Sequence, residues 1–455
     1  LALLADDRGA NLATLGAILL FGMTVTELRH TPAPPTGTPG EYEIIVRERL
    51  SEREGKTASG TTIRARRNSA TGEWLPAAGN LVVRCDSSTA LNPGDRAVVR
   101  GKIYPFTARH GGYGRLMTRR GYVGTLYLNR SSLLLRDTLH RELSPKHLSL
   151  FLHERAVARL DRLSLAPDEQ ALCNAMTAGD RRSLSPALRA AYSRSGTSHL
   201  LAVSGLHVGI VFLLANLLLW WLPLFRHGHI LRNIAVILLI WLYAATTGFP
   251  PSVVRAALMF SVLQFALASS SEYVGMNTLA GVAFVMLLFH PDYLFDISFQ
   301  LSFIAVAGII AWGLPLCRLL RTRRKSIDML TATLAIGFSA SAATAPLISH
   351  TFGQISVVGL ALNPVVILLS YVVVGSCTLW LVIPGTALAP LFSVVAGFAA
   401  RAQNELIRAA AALPAAALDI RLTTTQCWSV YGLFIFATLL LWSAERKKSV
   451  SSLPE

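Results

Sequence analysis

The chain has 455 residues, is 52% hydrophobic with a mean hydropathy of +0.47, and carries a formal net charge of +16 at pH 7. That apolarity excludes an ordinary soluble protein of this length. Apolar stretches of about 20 residues, the length that crosses a bilayer core of about 30 Å, recur near 9–28, 200–222, 230–248, 253–270, 274–290, 296–317, 328–350, 357–384, 388–412 and 427–443. The expected fold class is therefore a polytopic α-helical membrane protein with about ten transmembrane helices and an inserted extracytoplasmic β domain, a small OB-like barrel.

The first stretch lacks a basic leader and no small-residue cleavage pattern follows it, so residues 1–28 read as a retained helix rather than a signal peptide. The chain begins at Leu1 without methionine, and the expected true start lies upstream. Residues 29–199 hold 27 Lys/Arg against 15 Asp/Glu. Within 29–145, EYEIIVRERL alternates Tyr42, Ile44 and Val46 with Glu43, Ile45 and Arg47, as in a half-buried strand. TTIRARR, NLVVRC and DRAVVRGKIY follow as strands, with turn chemistry at Asn92-Pro93-Gly94-Asp95. Small barrels of this kind bind single strands with a basic groove and stacking aromatics. Tyr104, Tyr113, Arg109, Arg115, Arg119 and Arg120 are the candidate DNA contacts, beside Phe106, Tyr122 and Tyr127. Surface arginines and core tyrosines of any small barrel give the same pattern.

Residues 146–196 read as amphipathic and linking helices. Leu152, Leu160 and Leu163 line one side of the first, with Arg155, Arg159 and Arg162 on another. Pro167 followed by Asp168-Glu169 starts a helix, and Ser185-Pro186 starts the next, which Gly196 closes. The chain then enters GTSHLLAVSGLHVGIV at 196–211. Polar groups at the mouth of an apolar run point to a protein-lined or water-filled pocket. Ser204 and His207 share a helix face, while Gly205 and Gly209 form a small-xxx-small packing pair nearly opposite. The plainer alternative has His199 and His207 satisfying local backbone.

Further along, Arg255 falls in the first turn of a helix opened by Pro250-Pro251-Ser252, where the macrodipole is already positive. A passing phosphate satisfies both charges; snorkelling or a carbonyl partner is the other reading. Asp296 and Gln300 share a face, toward a cavity or with Asp296 as a helix cap. Asn363-Pro364 is expected to kink or break its helix and bare carbonyls to the same cavity. Of the five cysteines, Cys317, Cys377 and Cys427 read as packing residues, while Cys85 and Cys173 can pair if their region faces an oxidising compartment.

Arg226 and Arg232, the Arg318–Lys325 cluster and Arg446-Lys447-Lys448 all fall on one side by helix count. The positive-inside rule makes that side cytoplasmic, with the β domain outside and 446–455 a basic cytoplasmic tail. No G-x-x-x-x-G-K-[ST] loop supplies energy, and no cofactor or metal site is expected.

AMTAGDRRSLSPALRAAYSRSGTSHLLAVSGLHVGIV (175–211) resembles the central signature of the ComEC competence proteins. TGFPPSVVRAALM (247–259), DISFQLSFIAVAGI (296–309) and FGQISVVGLALNP (352–364) resemble further family segments in the same order, and LNPGDRAVVRGKIY and RLMTRRGYVGTLY resemble its extracytoplasmic domain. The resemblance implies a bacterial inner-membrane channel, with 197–445 as the channel domain, that passes single-stranded DNA to the cytoplasm in natural transformation. His199, Ser204, His207, Arg255, Asp296, Gln300 and Asn363 then become pore or DNA-path candidates. The implied partners are single-stranded DNA, the lipid bilayer, a periplasmic or surface DNA receptor, a cytoplasmic ATPase or helicase, and a separate nuclease. Many family members carry a metallo-β-lactamase-like domain; no H-x-H-x-D-H cluster is present here, so a channel without nuclease activity is expected. Two other classes stay open: a membrane-embedded hydrolase with Ser204 as nucleophile and a histidine base, and a small-anion transporter using the Ser204/His207 pocket.

Overall fold

The computed structural model describes residues 37, 39–53, 56–68, 71–86, 89, 91–92, 94–106, 114, 117–118, 121–137, 145–269, 275–356, 358–383, 387–413 and 416–451. The expected helix at 9–28 lies outside them. The chain divides into two compact units: one runs to Leu152 and includes Val285–Phe295, and the other holds the rest.

The first unit is built on a sheet of β1 (Pro39–Arg53), β2 (Lys56–Arg67), β3 (Trp74–Asp86), β4 (Arg96–Pro105), β5 (Tyr122–Leu128) and β6 (Leu133–Asp137). The order is β1-β2-β3-β5-β4-β6, and β1 also pairs with β4, closing five strands into a barrel. β3 and β5 run parallel, with Val82 opposite Thr125 and Arg84 opposite Tyr127; every other pair is antiparallel. Period-2 alternation fills the interior with Tyr42, Ile44, Val46, Ile63, Leu81, Val83, Val99, Ile103 and Leu126. Ile45 departs from the expected alternation. It is only 1% exposed on the other side of β1, where register shifts at Glu43/Ile44 and Val46/Glu48 bend the strand.

The second unit is helical. Its chain order runs α1 (Pro145–Leu160), α2 (Pro167–Thr177), α3 (Pro186–Arg194), α4 (Gly205–Leu218), α5 (Gly228–Thr246), α6 (Pro251–Ser269) and α7 (Gly275–Phe289), of which α1 and α7 begin or end in the first unit. It continues with α8 (Ile297–Gly308), a π-helical turn at Ile309–Gly313, α9 (Leu314–Leu319), α10 (Lys325–Phe352), α11 (Val358–Val382), α12 (Ala389–Ala411) and α13 (Thr424–Ser451). One core packs α2 into α11 and α12 through Leu172, Met176, Val373, Val374, Ala399 and Ala400. Leu160 and Leu163 are buried in the same core, while Arg155, Arg159 and Arg162 face outward. A second core joins α4, α5 and α6 through Val208, Val211, Val236, Ile240, Val253 and Ala257.

Five stretches are long and apolar enough to cross a membrane: Gly205–Leu224, Gly228–Thr246, Ile297–Leu319, Ile327–Phe352 and Ala361–Val382. Pro251–Ala266 and Gly275–Phe289 are shorter apolar helices. Ten spans were expected; five stand among the described residues. At 388–412 the reason is local. The second half of α12 carries Arg401, Gln403, Asn404, Glu405 and Arg408, of which Gln403, Asn404 and Arg408 bond to α2 and α3. Tyr192 Oη donates to Asn404 Oδ1 at 3.1 Å, Gln403 Nε2 donates to Tyr192 Oη at 3.3 Å, and Asn404 Nδ2 donates to the Asp168 carbonyl at 3.2 Å. The break expected at Asn363-Pro364 is also absent, because α11 continues through Pro364 as one helix.

All five cysteines are free. Cys85 lies in the barrel 3.0 Å from Thr57 Oγ1, whereas Cys173 lies on α2 beside the Cys377 thiol of α11. The pairing of Cys85 with Cys173, conditional in the sequence on an oxidising compartment, is not formed.

Candidate functional site

The four segments singled out in the sequence meet in the helical unit. Gly179, at φ +83°, packs so closely that an added Cβ would lie 3.2 Å from Val203 Cγ2 and 3.6 Å from the Thr247 carbonyl. Gly196, at φ +73°, leaves 2.4 Å from such a Cβ to Ser356 Cβ. Ser252 Oγ donates to the Val203 carbonyl at 2.9 Å, tying the start of α6 to the residue before Ser204. Between them, Gly248 and Phe249 both have positive φ, a conformation that a phenylalanine adopts only at a cost of about 1–3 kcal/mol. That strained turn aims the first turn of α6 at α4.

Arg255 is the centre of this junction. It is 6% exposed, and its Nη1 donates to the Ser302 carbonyl of α8 at 3.0 Å. Its guanidinium carbon lies 5.8 Å from the centre of the Phe303 ring. A Cβ at Gly205 would come within 2.8 Å of Arg255 Nη2, so the first residue of α4 must be glycine for the guanidinium to rest there. Gly209 lies one turn on, 3.4 Å from Phe260 by the same measure. Arg255 Nε is enclosed without a partner, and no carboxylate lies within salt-bridge distance of Arg255 among the described residues. A cation at the positive end of a helix, out of water and without a counter-ion, is electrostatically unfavourable. An anion bound there is attracted by both the guanidinium and the helix end and offsets their repulsion.

His207 stands beside this cation's helix end. The ring is fully buried, and its Nδ1 accepts the Ser204 backbone N–H at 2.8 Å. This is a capping box in which histidine takes the place of the usual glutamate or glutamine. With Nδ1 accepting from the backbone, the proton sits on Nε2, which is buried without a partner among the described residues. Ser204 Oγ lies 3.2 Å from Nδ1, but the ring nitrogen facing the hydroxyl is already occupied by the backbone and no acid orients the other. Among the described residues the hydrolase constellation therefore lacks its third member.

The remaining candidates lie on three elements. His199 is exposed in the short turn Ser198–Leu201. Asp296 caps α8, its Oδ1 accepting from Ser298 N at 2.8 Å and Phe299 N at 3.1 Å; Gln300, half-buried, follows one turn later. Asn363 lies on α11 with its Oδ1 enclosed and unpartnered among the described residues. The sequence reading missed Ser302 and Phe303, whose only local signal was their place in the DISFQLSF segment. It read Ser252 only as part of the start of α6 and missed its bond to Val203.

Asp180, in the segment leading to this junction, is 7% exposed and accepts from Arg182 Nε and Nη2, each at 2.9 Å. Burial pushes its carboxyl pKa up, but the hydrogen bonds and charge of Arg182 outweigh it and hold the carboxyl below the usual aspartate range. A depressed folded pKa contributes stability above the unfolded value near pH 4 and loses it as pH falls through the folded one. The stability gap between the parent and Asp180→Asn is therefore expected to be full at pH 6 and to close below about pH 4, read as unfolding midpoints across pH.

The barrel carries a separate exposed platform. Tyr104 on β4 and Tyr127 on β5 are 47% and 54% exposed, with ring centres 5.8 Å apart edge to face. Lys102 Nζ lies 5.6 Å from the Tyr104 ring centre. Three other barrel cations are neutralised: Glu41 accepts from Arg67 at 3.0 Å and from Arg100 Nε at 3.0 Å, and Asp95 accepts from Arg136 Nη2 at 2.7 Å. Arg109, Tyr113, Arg115, Arg119 and Arg120 lie outside the described residues.

A family model described as "Competence protein" matches residues 176–447. The chain is 33% identical over 204 residues to "ComE operon protein 3" of Bacillus subtilis (strain 168), covering 44% of this chain and 24% of that protein. It is 29% identical over 201 residues to an uncharacterized protein of Aquifex aeolicus (strain VF5), covering 44% and 45% respectively. The matched segment thus spans less than half of either relative. No solved structure matches. The family model covers the junction of α4, α6 and α8 and more than half of the sequence, and the chain belongs to the ComEC family of competence proteins.

Proposed function

We propose that this chain is an inner-membrane channel that passes one strand of incoming DNA into the cytoplasm during natural transformation. The observation that carries the reading is the buried Arg255 guanidinium, without a carboxylate among the described residues, held against Gly205 at the N-terminal end of α4. A phosphodiester supplies the missing anion, and a moving strand offers one at every nucleotide. Gly205 and Gly209 let α6 lie close enough for Arg255 to reach the helix end, while Asp296, Gln300 and Asn363 add polar groups to apolar helices of the same unit.

The barrel, read as OB-type and extracytoplasmic, receives the strand first. Its Tyr104–Tyr127 pair stacks bases while Lys102 meets the backbone. On this reading the energy comes from a cytoplasmic ATPase or helicase, delivery from a surface or periplasmic receptor, and strand degradation from a separate nuclease. Stacking contributes roughly 1–3 kcal/mol per base, so Tyr104→Ala with Tyr127→Ala is expected to weaken oligonucleotide binding by the full-length protein at least tenfold. Fluorescence anisotropy with a labelled single strand measures it, and an unchanged affinity removes the platform from the path.

The test of the whole reading uses labelled duplex DNA, a deletion strain and its complemented partner, with external nuclease and cell fractionation. The channel reading requires label trapped outside the inner membrane in the deletion strain and a protected single-stranded cytoplasmic pool after complementation. Equal cytoplasmic label in both strains overturns it.

A further inference from the structure

The tip of the α4–α5 hairpin carries a basic and aromatic surface that the proposed DNA path does not use. Trp220, Leu224 and Phe225 are 65%, 77% and 62% exposed, and Trp221 at 45% stands edge-on to Phe225 with ring centres 6.0 Å apart. Trp221 is fixed by its own Nε1, which donates to the Leu218 carbonyl at 2.9 Å. The turn itself is tight, because a Cβ at Gly228 would fall 1.6 Å from the Leu222 carbonyl oxygen. Arg226, His227 and His229 are exposed around it. Behind them Arg232 is anchored: its Nη2 donates to Asn216 Oδ1 at 2.7 Å, and Asn216 Nδ2 donates to the Phe212 carbonyl at 3.0 Å. Arg232 Nε is enclosed with no partner among the described residues.

These cations have no counter-ion close at hand. The sequence holds no Asp or Glu between Asp180 and Glu272, so α4, α5 and α6 are devoid of acids. Among the described residues no carboxylate lies within salt-bridge distance of Arg226 or Arg232. The anion must come from outside the hairpin. Indoles and large apolar side chains bracket the two guanidiniums at the shared end of two candidate spans, the depth at which tryptophan and arginine meet lipid headgroups. A water-filled nucleic-acid groove would not expose leucine and phenylalanine beside its cations.

We propose that this surface binds the headgroup phosphate of an anionic phospholipid. Arg232 is the preoriented inner donor and Arg226 the outer one, with Trp220 and Trp221 at headgroup level and Leu224 and Phe225 against the acyl chains. The site is independent of the DNA-path reading.

Native mass spectrometry of the full chain, released from nanodiscs holding equal phosphatidylglycerol and phosphatidylcholine, tests it. The parent is expected to retain phosphatidylglycerol preferentially. Each cation near the surface contributes about fivefold, so Arg226→Gln with Arg232→Gln is expected to lower that preference about 30-fold. Arg226→Gln alone, a position for which no side-chain hydrogen bond is seen among the described residues, is expected to lower it about fivefold and serves if the double variant does not fold. A parent without preference, or variants that keep it, overturns the proposal. So does an added oligothymidylate that displaces the retained lipid completely, which would assign the surface to nucleic acid.

Discussion

Replacing Arg255 with methionine is expected to lower DNA entry by one to two orders of magnitude while the amount of folded protein stays the same or rises. The two effects separate because they have different origins. A buried cation without a carboxylate among the described residues, held by one bond to the Ser302 carbonyl and a ring face, costs desolvation that its contacts do not repay. Methionine fills a similar volume between α4, α6 and α8 without that charge, and apolar replacements of buried ionic groups are often neutral or stabilising by about 1–4 kcal/mol. What disappears is the attraction for a phosphate. A hydrogen bond to a charged group is worth about 1.5–3 kcal/mol, roughly 10- to 150-fold in affinity at one step of the path. Arg255→Lys keeps the charge but not the fork, and is expected to fall between the two. The measurement pairs nuclease-protected cytoplasmic label with the membrane level and unfolding midpoint of each variant. If Arg255→Met is lost from the membrane, the guanidinium is a structural tie between α6 and α8. If it accumulates and still imports DNA normally, no phosphate passes Arg255.

Local rules reached some of this arrangement and not the rest, for physical reasons. Period-2 alternation located β1 to β4 because one face of each strand is buried, but it carried no information on the parallel β3–β5 pairing that closes the barrel. Ser185 was readable as a cap because its partner, Leu188 N, is three residues away at 3.2 Å. Arg255 was visible as a cation in an apolar helix, yet its Ser302 acceptor lies 47 residues away on another helix. Burial of Gln403 and Asn404 follows the same rule, since their partners Tyr192 and Asp168 sit more than 200 residues upstream. A hydropathy scan averaged those polar residues with the apolar first half of α12 and read one span. Spacing put His207 on the face of Ser204, and the plainer alternative had it satisfying local backbone, as its Nδ1 does; its orphan Nε2 is visible only in three dimensions.

The junction also predicts its own weakest substitution, Gly196→Ala. Gly196 adopts φ +73°, where a side chain costs roughly 1–2 kcal/mol, and the added Cβ would lie 2.4 Å from Ser356 Cβ and 2.7 Å from its Oγ. Neither atom can yield freely, because Ser356 Oγ donates to the Ala416 carbonyl at 3.1 Å and accepts from Gly359 N at 3.1 Å. Overpacking of that kind adds about 1–3 kcal/mol. The single variant is therefore expected to lose about 2–5 kcal/mol in total, read as the unfolding midpoint in detergent. Ser356→Gly is destabilising alone through its two lost hydrogen bonds, but in combination it removes the atoms that collide. The double variant should then be more stable than the sum of the singles requires, by about 1–3 kcal/mol of coupling. Strict additivity would mean that the Ser356 segment shifts away without resistance and that only the backbone angle demands glycine. Import per folded molecule is the second readout. Gly196 lies outside the Arg255 site, so the surviving folded fraction should import DNA at the parent rate, whereas Arg255→Met should not at any level of folding.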